Sequence, residues 1–374
     1  MRPWLRRSLL GCGGALLVAG LAVGAFLLTQ TGHRVRDTLR LLIDSQEPDP
    51  VATGEDVLQY LEHHRDRCSL AVWDVGDEDA GVFFDADTPR PLASAMKVLP
   101  LALYGERLES GAWDAGEPVA VADLERYYLP HTDGEAHPAA MADLDGGLTL
   151  DGVARAMIRF SDNAAADWLL HRLGREAVDE GAARLLGAGQ GPIHPLSGTL
   201  LIAQRDGGAG GDVATDAWAL STRLGSDAAW REELQARARE EGPGLPLSAQ
   251  LELSHGLDNQ ASARAWARLM ERLFADPRPG VAFARRHLAW PMAFEQNRQD
   301  FTMLATKGGS LPGTLTAAYY AETKGGRRRV LALFLHDVPF ATWLALSQSF
   351  AQQKLERKLL LEDDALSQLH HRGW

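Results

Sequence analysis

Three short runs of this chain place a nucleophile among groups able to activate it: Ser94-Ala95-Met96-Lys97, Ser161-Asp162-Asn163 and Lys307-Gly308-Gly309-Ser310. A serine hydroxyl attacks a carbonyl only when a base takes its proton. A lysine can be that base when burial and nearby cations lower its pKa. Residues i and i+3 share a helix face, so Lys97 reaches the Ser94 hydroxyl. Ser161 can relay a proton towards a leaving group, and Asn163 can hold an amide of the substrate. Lys307 can attract a substrate carboxylate and help to keep Lys97 uncharged. With Gly309 in the substrate-binding run, the backbone N–H groups of Ser94 and Ser310 would take the oxyanion. Ser-x-x-Lys alone is a weak signal, expected about once by chance in a chain of this length. Ser-Asp-Asn is scarcer. A capping serine with a snorkelling lysine could explain one run, but not three in order.

Pattern and punctuation indicate what must hold these residues. From Ser94 to about Ser110 the chain is apolar nearly all round, which predicts a buried helix that Pro100 kinks or restricts in its first turn. Thr149 is a candidate N-cap for a second helix, and a third follows Ser161 and ends at Gly174. Val57–His64 and Ala261–Phe274 also read as helices. Ser69–Asp74 and Gly81–Asp85 predict a hairpin, and Phe301–Lys307, Thr314–Glu322 and Arg328–Phe334 predict three more strands. A C-terminal helix is expected over Thr342–Leu361. Strands at both chain ends around a helical middle describe an α/β (α+β) fold, with an antiparallel sheet lobe and an all-α lobe. Residues 205–260, rich in Gly and Pro, read as an insertion in a domain spanning 51–374.

The chain has 374 residues, 45% hydrophobic and 24% charged, which is a globular composition. Its formal net charge of −12 repels phosphate backbones and argues against a nucleic-acid partner. Two cysteines, Cys12 and Cys68, offer neither a disulfide framework nor a zinc spacing, and no cofactor is expected. Arg2, Arg6 and Arg7 precede an uncharged run from Ser8 to Leu28. At 1.5 Å per residue that run crosses a bilayer core of about 30 Å. No small-x-small cleavage site follows it. Residues 1–30 are therefore expected to be a transmembrane signal anchor and 31–50 a juxtamembrane linker. The rest would lie outside the cytoplasm, in a periplasm or on the cell surface.

The three runs, in this order, resemble those of the class A β-lactamase and penicillin-binding-protein superfamily. The likeness runs from about Ser69 to Phe350 and is closest at Ala93–Leu103, Thr149–Leu170 and Thr306–Ala321. It implies a β-lactamase/transpeptidase-like fold with the active site between its lobes. It also implies Ser94 as nucleophile, Lys97 as its base, Ser161 and Asn163 as the second motif, and Lys307 to Ser310 as the third. A small-molecule β-lactam or peptidoglycan-like substrate follows from the same likeness. Three departures stand out. Gly308 replaces the Thr or Ser that normally follows the lysine. The 144 residues from Asn163 to Lys307 exceed a compact class A enzyme. From Leu185 to Gln204 there is no acidic residue, where class A enzymes carry the glutamate that activates the deacylating water. His194 is the one titratable group there, expected to be packed or solvated, and Glu240 or Glu241 in the insertion could bring a carboxylate from elsewhere. The alternatives are a DD-peptidase, a small-molecule esterase, and a catalytically idle binding domain.

Overall fold

The computed structural model describes residue 49 and residues 51–144, 146–187, 190–204, 211–241, 250–251 and 253–374. The expected anchor and most of the linker fall outside these residues. Among the described residues no helix is long and apolar enough to cross a membrane.

The strands in chain order are β1 (Cys68–Asp74), β2 (Asp77–Phe84), the two-residue β3 (Arg90–Pro91) and β4 (Gln260–Ala261), β5 (Phe301–Leu311), β6 (Thr314–Thr323) and β7 (Arg328–Leu335). Five of them form an antiparallel central sheet in the order β2-β1-β7-β6-β5. The two chain ends meet here, as the sequence pattern requires: Leu70 lies opposite Leu333 and Val72 opposite Leu331. Alternation along each strand sends Leu70, Val72, Leu331 and Leu333 to one face and Ala71, Trp73, Val330 and Ala332 to the other. The first face is covered by helices Gly54–His63, Phe340–Ser349 and Ala351–Leu361. Small residues on the second face admit helix Ala263–Ala275, whose Trp266 and Met270 join the core that continues into the helical lobe.

Several boundaries differ from expectation, each for a local reason. The helix starting at Ser94 is a 3₁₀ turn over Ala93–Lys97, followed by an α-helix over Val98–Glu109 with Pro100 in its first turn. Three residues per turn place Lys97 directly above Ser94, a closer alignment than an α-helix gives. Strand β5 does not stop at the third motif but runs through it to Leu311, because β6 pairs with it throughout. The C-terminal helix is broken at Phe350, whose φ of 53° ends one helix and starts the next. A short pair, β3 (Arg90–Pro91) with β4 (Gln260–Ala261), takes Ala261 out of the helix predicted to begin there. The expected insertion contains helices Val213–Ser226 and Ala228–Glu241; Ala217, Leu220 and Leu224 of the first pack with Leu129, Leu201 and Ile202 as a small separate core. Thr149 caps its helix through Gly152 N–H, as predicted.

Candidate active site

The Ser94 turn is held from four directions. Leu92 N–H donates to Asn259 O at 2.8 Å, and Ala93 N–H to Asp258 Oδ2 at 2.5 Å. Thr316 Oγ1 donates to Leu92 O at 2.8 Å, and Trp266 Nε1 to Ala95 O at 3.2 Å. These bonds offset the cost of Ala93 at a φ of 46°, a region that L residues avoid by about 1–2 kcal/mol. The second motif sits at a comparable bend. A π-turn over Ala156–Phe160 ends at Ser161, whose φ is 65°. Asp162 then caps helix Asn163–Leu173 by accepting Ala164 N–H and Ala165 N–H. Its other oxygen meets His137 Nδ1 at 2.9 Å, a buried pair that fixes the bend from below.

All three predicted motifs converge. Lys97 is fully buried, and its Nζ lies 2.9 Å from Ser94 Oγ, 2.6 Å from Ser161 O, 2.7 Å from Asn163 Oδ1 and 3.2 Å from Ser161 Oγ. A neutral amine has two N–H donors and one lone pair. Ser161 O and Asn163 Oδ1 take the donors, which leaves the lone pair facing the Ser94 hydroxyl. Burial drives the Lys97 pKa down to about 8, against the pull of Asp162 and Asp167. Lys307 Nζ, on β5, donates to Ser161 Oγ at 3.0 Å and to Gly308 O at 2.8 Å. Ser161 Oγ thus has amines on both sides, and its own proton is free to point into the cavity.

Burial without a carboxylate partner pushes the Lys307 pKa well below the usual lysine value, aided by Lys97. An arriving carboxylate would favour the ammonium. Gly309 is a steric requirement: a Cβ there would lie 2.5 Å from Leu92 O and 2.6 Å from Ser94 N. The strand therefore passes against the nucleophile's amide as only glycine permits. Ser310 follows, exposed at the cavity rim.

A cavity of about 900 Å³ opens on Ser94, Ser161, Asn163 and Lys307. Its wall from helix Leu196–Ala203 is Leu196, Thr199 and Leu200. Asp167 anchors that helix, accepting Leu196 N–H at 2.8 Å and Ser197 N–H at 2.7 Å, with its pKa raised by burial to about 6. His194 is the packed residue anticipated: buried, 3.0 Å from Thr199 Oγ1, its pKa lowered by burial to about 4. Glu240 is exposed and does not border the cavity. The carboxylates that do, among the described residues, are Asp133 and Asp258. Asp133 Oδ2 accepts His137 N–H at 2.9 Å while its Oδ1 is buried without a partner, and Asp258 Oδ2 accepts Ala93 N–H. Burial lifts the Asp258 pKa to about 7. Sequence reading missed Asp133, His137, Asp167 and Asp258. Asp167, one turn beyond Asn163 in a helix whose first half is otherwise alanine-rich, was the one visible signal.

Comparison with known proteins gives the family and the fold. The β-lactamase enzyme family matches over residues 53–352. No curated protein matches in sequence. Among solved structures, an ancestral (GNCA) class A β-lactamase is 16% identical, with a TM-score of 0.50 over 82% of this chain and 100% of that one. A class A β-lactamase from Mycobacterium abscessus is 17% identical, with the same TM-score, over 82% of this chain and 99% of that one. At such identities the likeness is one of fold.

Proposed function

The chain belongs to the β-lactamase enzyme family, and from that premise we propose that it is a serine hydrolase forming an acyl-enzyme on Ser94 with a β-lactam or a related amide or ester. The observation that carries this reading is the position of Lys97 Nζ, buried and 2.9 Å from Ser94 Oγ with both remaining N–H bonds occupied. In this mechanism Ser94 Oγ attacks the carbonyl carbon as its proton passes to Lys97. The oxyanion is received by the amides of Ser94 and Ser310 across Gly309. The proton reaches the leaving nitrogen or oxygen through Ser161, which lies between the two lysines. Asn163 holds the acyl amide, and Lys307 meets the substrate's carboxylate.

Water then has to cleave the ester. The cavity wall of Leu196, Thr199 and Leu200 offers that water no carboxylate. This favours a long-lived adduct, and with it a penicillin-binding or DD-peptidase activity as the second reading. Incubation with a fluorescent penicillin, following adduct mass and lifetime, tests both. Labelling by an acyl phosphonate with no adduct from any β-lactam would move the assignment to an esterase.

The proposal extends to location. The uncharged run Ser8–Leu28 behind three arginines supports a membrane anchor with the catalytic domain outside the cytoplasm. N-terminal sequencing of the purified protein tests it: a mature start between residues 20 and 50 would mean a cleaved signal peptide, and a lipidated start at Cys12 a lipoprotein.

A further inference from the structure

Among the described residues, three side-chain cations border the Ser94 cavity: Arg159, Lys307 and Arg357. Two of them are taken. Lys307 Nζ donates to Ser161 Oγ and Gly308 O. Arg357 donates to Asn297 Oδ1 at 2.9 Å and pairs with Asp300. Arg159 differs from both. Its side chain is 48% exposed, and its ion-pair partner among the described residues is Asp143 Oδ2 at 4.0 Å, too far for a hydrogen bond. Arg155 already holds that same oxygen closely. The Arg159 guanidinium also stands over the Phe160 ring, 5.5 Å from its centroid. Stacking of this kind uses the face of the group and spares its N–H edge. Five donors in a rigid fork, matched to a carboxylate, are thus held at the cavity with no acceptor.

The local fold puts Arg159 there. Ala156–Phe160 is a π-turn, a form that recurs at functional sites, and it ends at Ser161, two residues beyond Arg159. The 3₁₀ turn Arg286–Ala293 packs against this π-turn and against β5, and its Trp290 and Pro291 also border the cavity. An indole on that wall displaces water, and a charge pair strengthens as water is excluded. The carboxylates that border the cavity, Asp133 and Asp258, are held by the backbone N–H groups of His137 and Ala93. In the acyl-enzyme mechanism the leaving group lies between Ser161, which protonates it, and Lys307, which meets its carboxylate. A substituent growing outward from that group passes the wall formed by Arg159 and Trp290.

Resting on the acyl-enzyme reading above, we propose that Arg159 selects substrates whose leaving group carries a second carboxylate, besides the one that meets Lys307. The substrate class is an amide or ester of a diacid leaving group, such as a terminal amino acid or hydroxy acid with an acidic side chain.

Two phenylacetylglycyl thioesters isolate this feature: mercaptoacetate leaves with one carboxylate and mercaptosuccinate with two. Hydrolysis of either by the purified full chain gives phenylacetylglycine and a free thiol, which a chromogenic disulfide reads. Both pass through the same acyl-enzyme, so the ratio of their kcat/KM values, diacid over monoacid, reports on the leaving group alone. Arg159→Gln should lower that ratio about tenfold, the size of a lost hydrogen-bonded charge pair. Arg159→Lys, which keeps the charge without the fork, should recover part of it. Raising salt from about 0.05 to 0.5 M should lower the wild-type ratio by screening and leave that of Arg159→Gln unmoved. A ratio in Arg159→Gln within twofold of wild type, with both thioesters turned over, would overturn the role of Arg159 and leave the Ser94 reading intact. No thiol release from either thioester by the wild-type chain would overturn this proposal together with the hydrolase reading beneath it.

Discussion

The α-carbon of Gly309 faces the backbone amide of Ser94 so closely that a single added methyl carbon would come within 2.6 Å of that nitrogen. Strand β5 and the nucleophile turn are therefore positioned against one another by the absence of a side chain. Gly309→Ala must push them apart and misdirect the amides that receive the oxyanion. Loss of one such donor costs about 3–4 kcal/mol, or roughly 10²–10³ in rate. Acylation by a penicillin in Gly309→Ala is expected to slow by that factor, with the circular dichroism spectrum retained. A stopped-flow acylation rate within threefold of wild type would show that Gly309 sets no such contact.

Lys97 sets the pH dependence. It accepts the Ser94 proton only when uncharged, and burial lowers its pKa to about 8. Below that pH the amine is increasingly protonated, so the acylation rate falls about tenfold per unit. The acylation rate plotted against pH should rise through an apparent pKa near 8 and then level off. Were it flat from pH 5 to 9, another base would be serving Ser94.

Asp167 supports the site from one layer away. Its carboxylate is the partner of two buried amides, Leu196 N–H and Ser197 N–H, at the start of the helix that walls the cavity. Asp167→Ala leaves both unpaired, at about 1–3 kcal/mol each. Chemical denaturation should show a loss of about 2–6 kcal/mol together with slower acylation. A variant as stable as wild type would mean that the helix start finds other partners.

How much of this was legible beforehand follows from where each residue's partners lie. Ser94, Lys97, Ser161, Asn163 and Lys307 were found because their spacing is itself chemical, and the sheet because strands alternate with period 2. The 3₁₀ form of the Ser94 turn was not legible, since it depends on Asn259 and Asp258, more than 160 residues away. The break at Phe350 carries no glycine or proline to announce it. Asp133 and His137 sit in a segment whose only cue is polarity, and only their packing beneath Ser161 gives them meaning. The lowered pKa of Lys307 depends on burial depth, which motif spacing does not encode.

Deacylation should limit turnover. The wall facing the ester is Leu196, Thr199 and Leu200, with no carboxylate to activate the attacking water. Loss of general-base help to water lowers the rate by a factor on the order of 10²–10⁴. With a chromogenic cephalosporin, a burst equal to the enzyme concentration is expected, followed by slow release. Burst-free turnover at about 100 s⁻¹ or faster, a rate typical of enzymes with intact base catalysis, would reveal a deacylating base. Asp133→Asn and Asp258→Asn would then show which cavity carboxylate supplies it.

The most direct test is the mass of the peptide that carries the adduct. After reaction with a penicillin and quenching in acid, proteolysis should give one modified peptide containing Ser94, heavier by one intact penicillin. Labelling should vanish in Ser94→Ala. A modified peptide lacking Ser94, or undiminished labelling of Ser94→Ala, would contradict the assignment of Ser94 as the nucleophile.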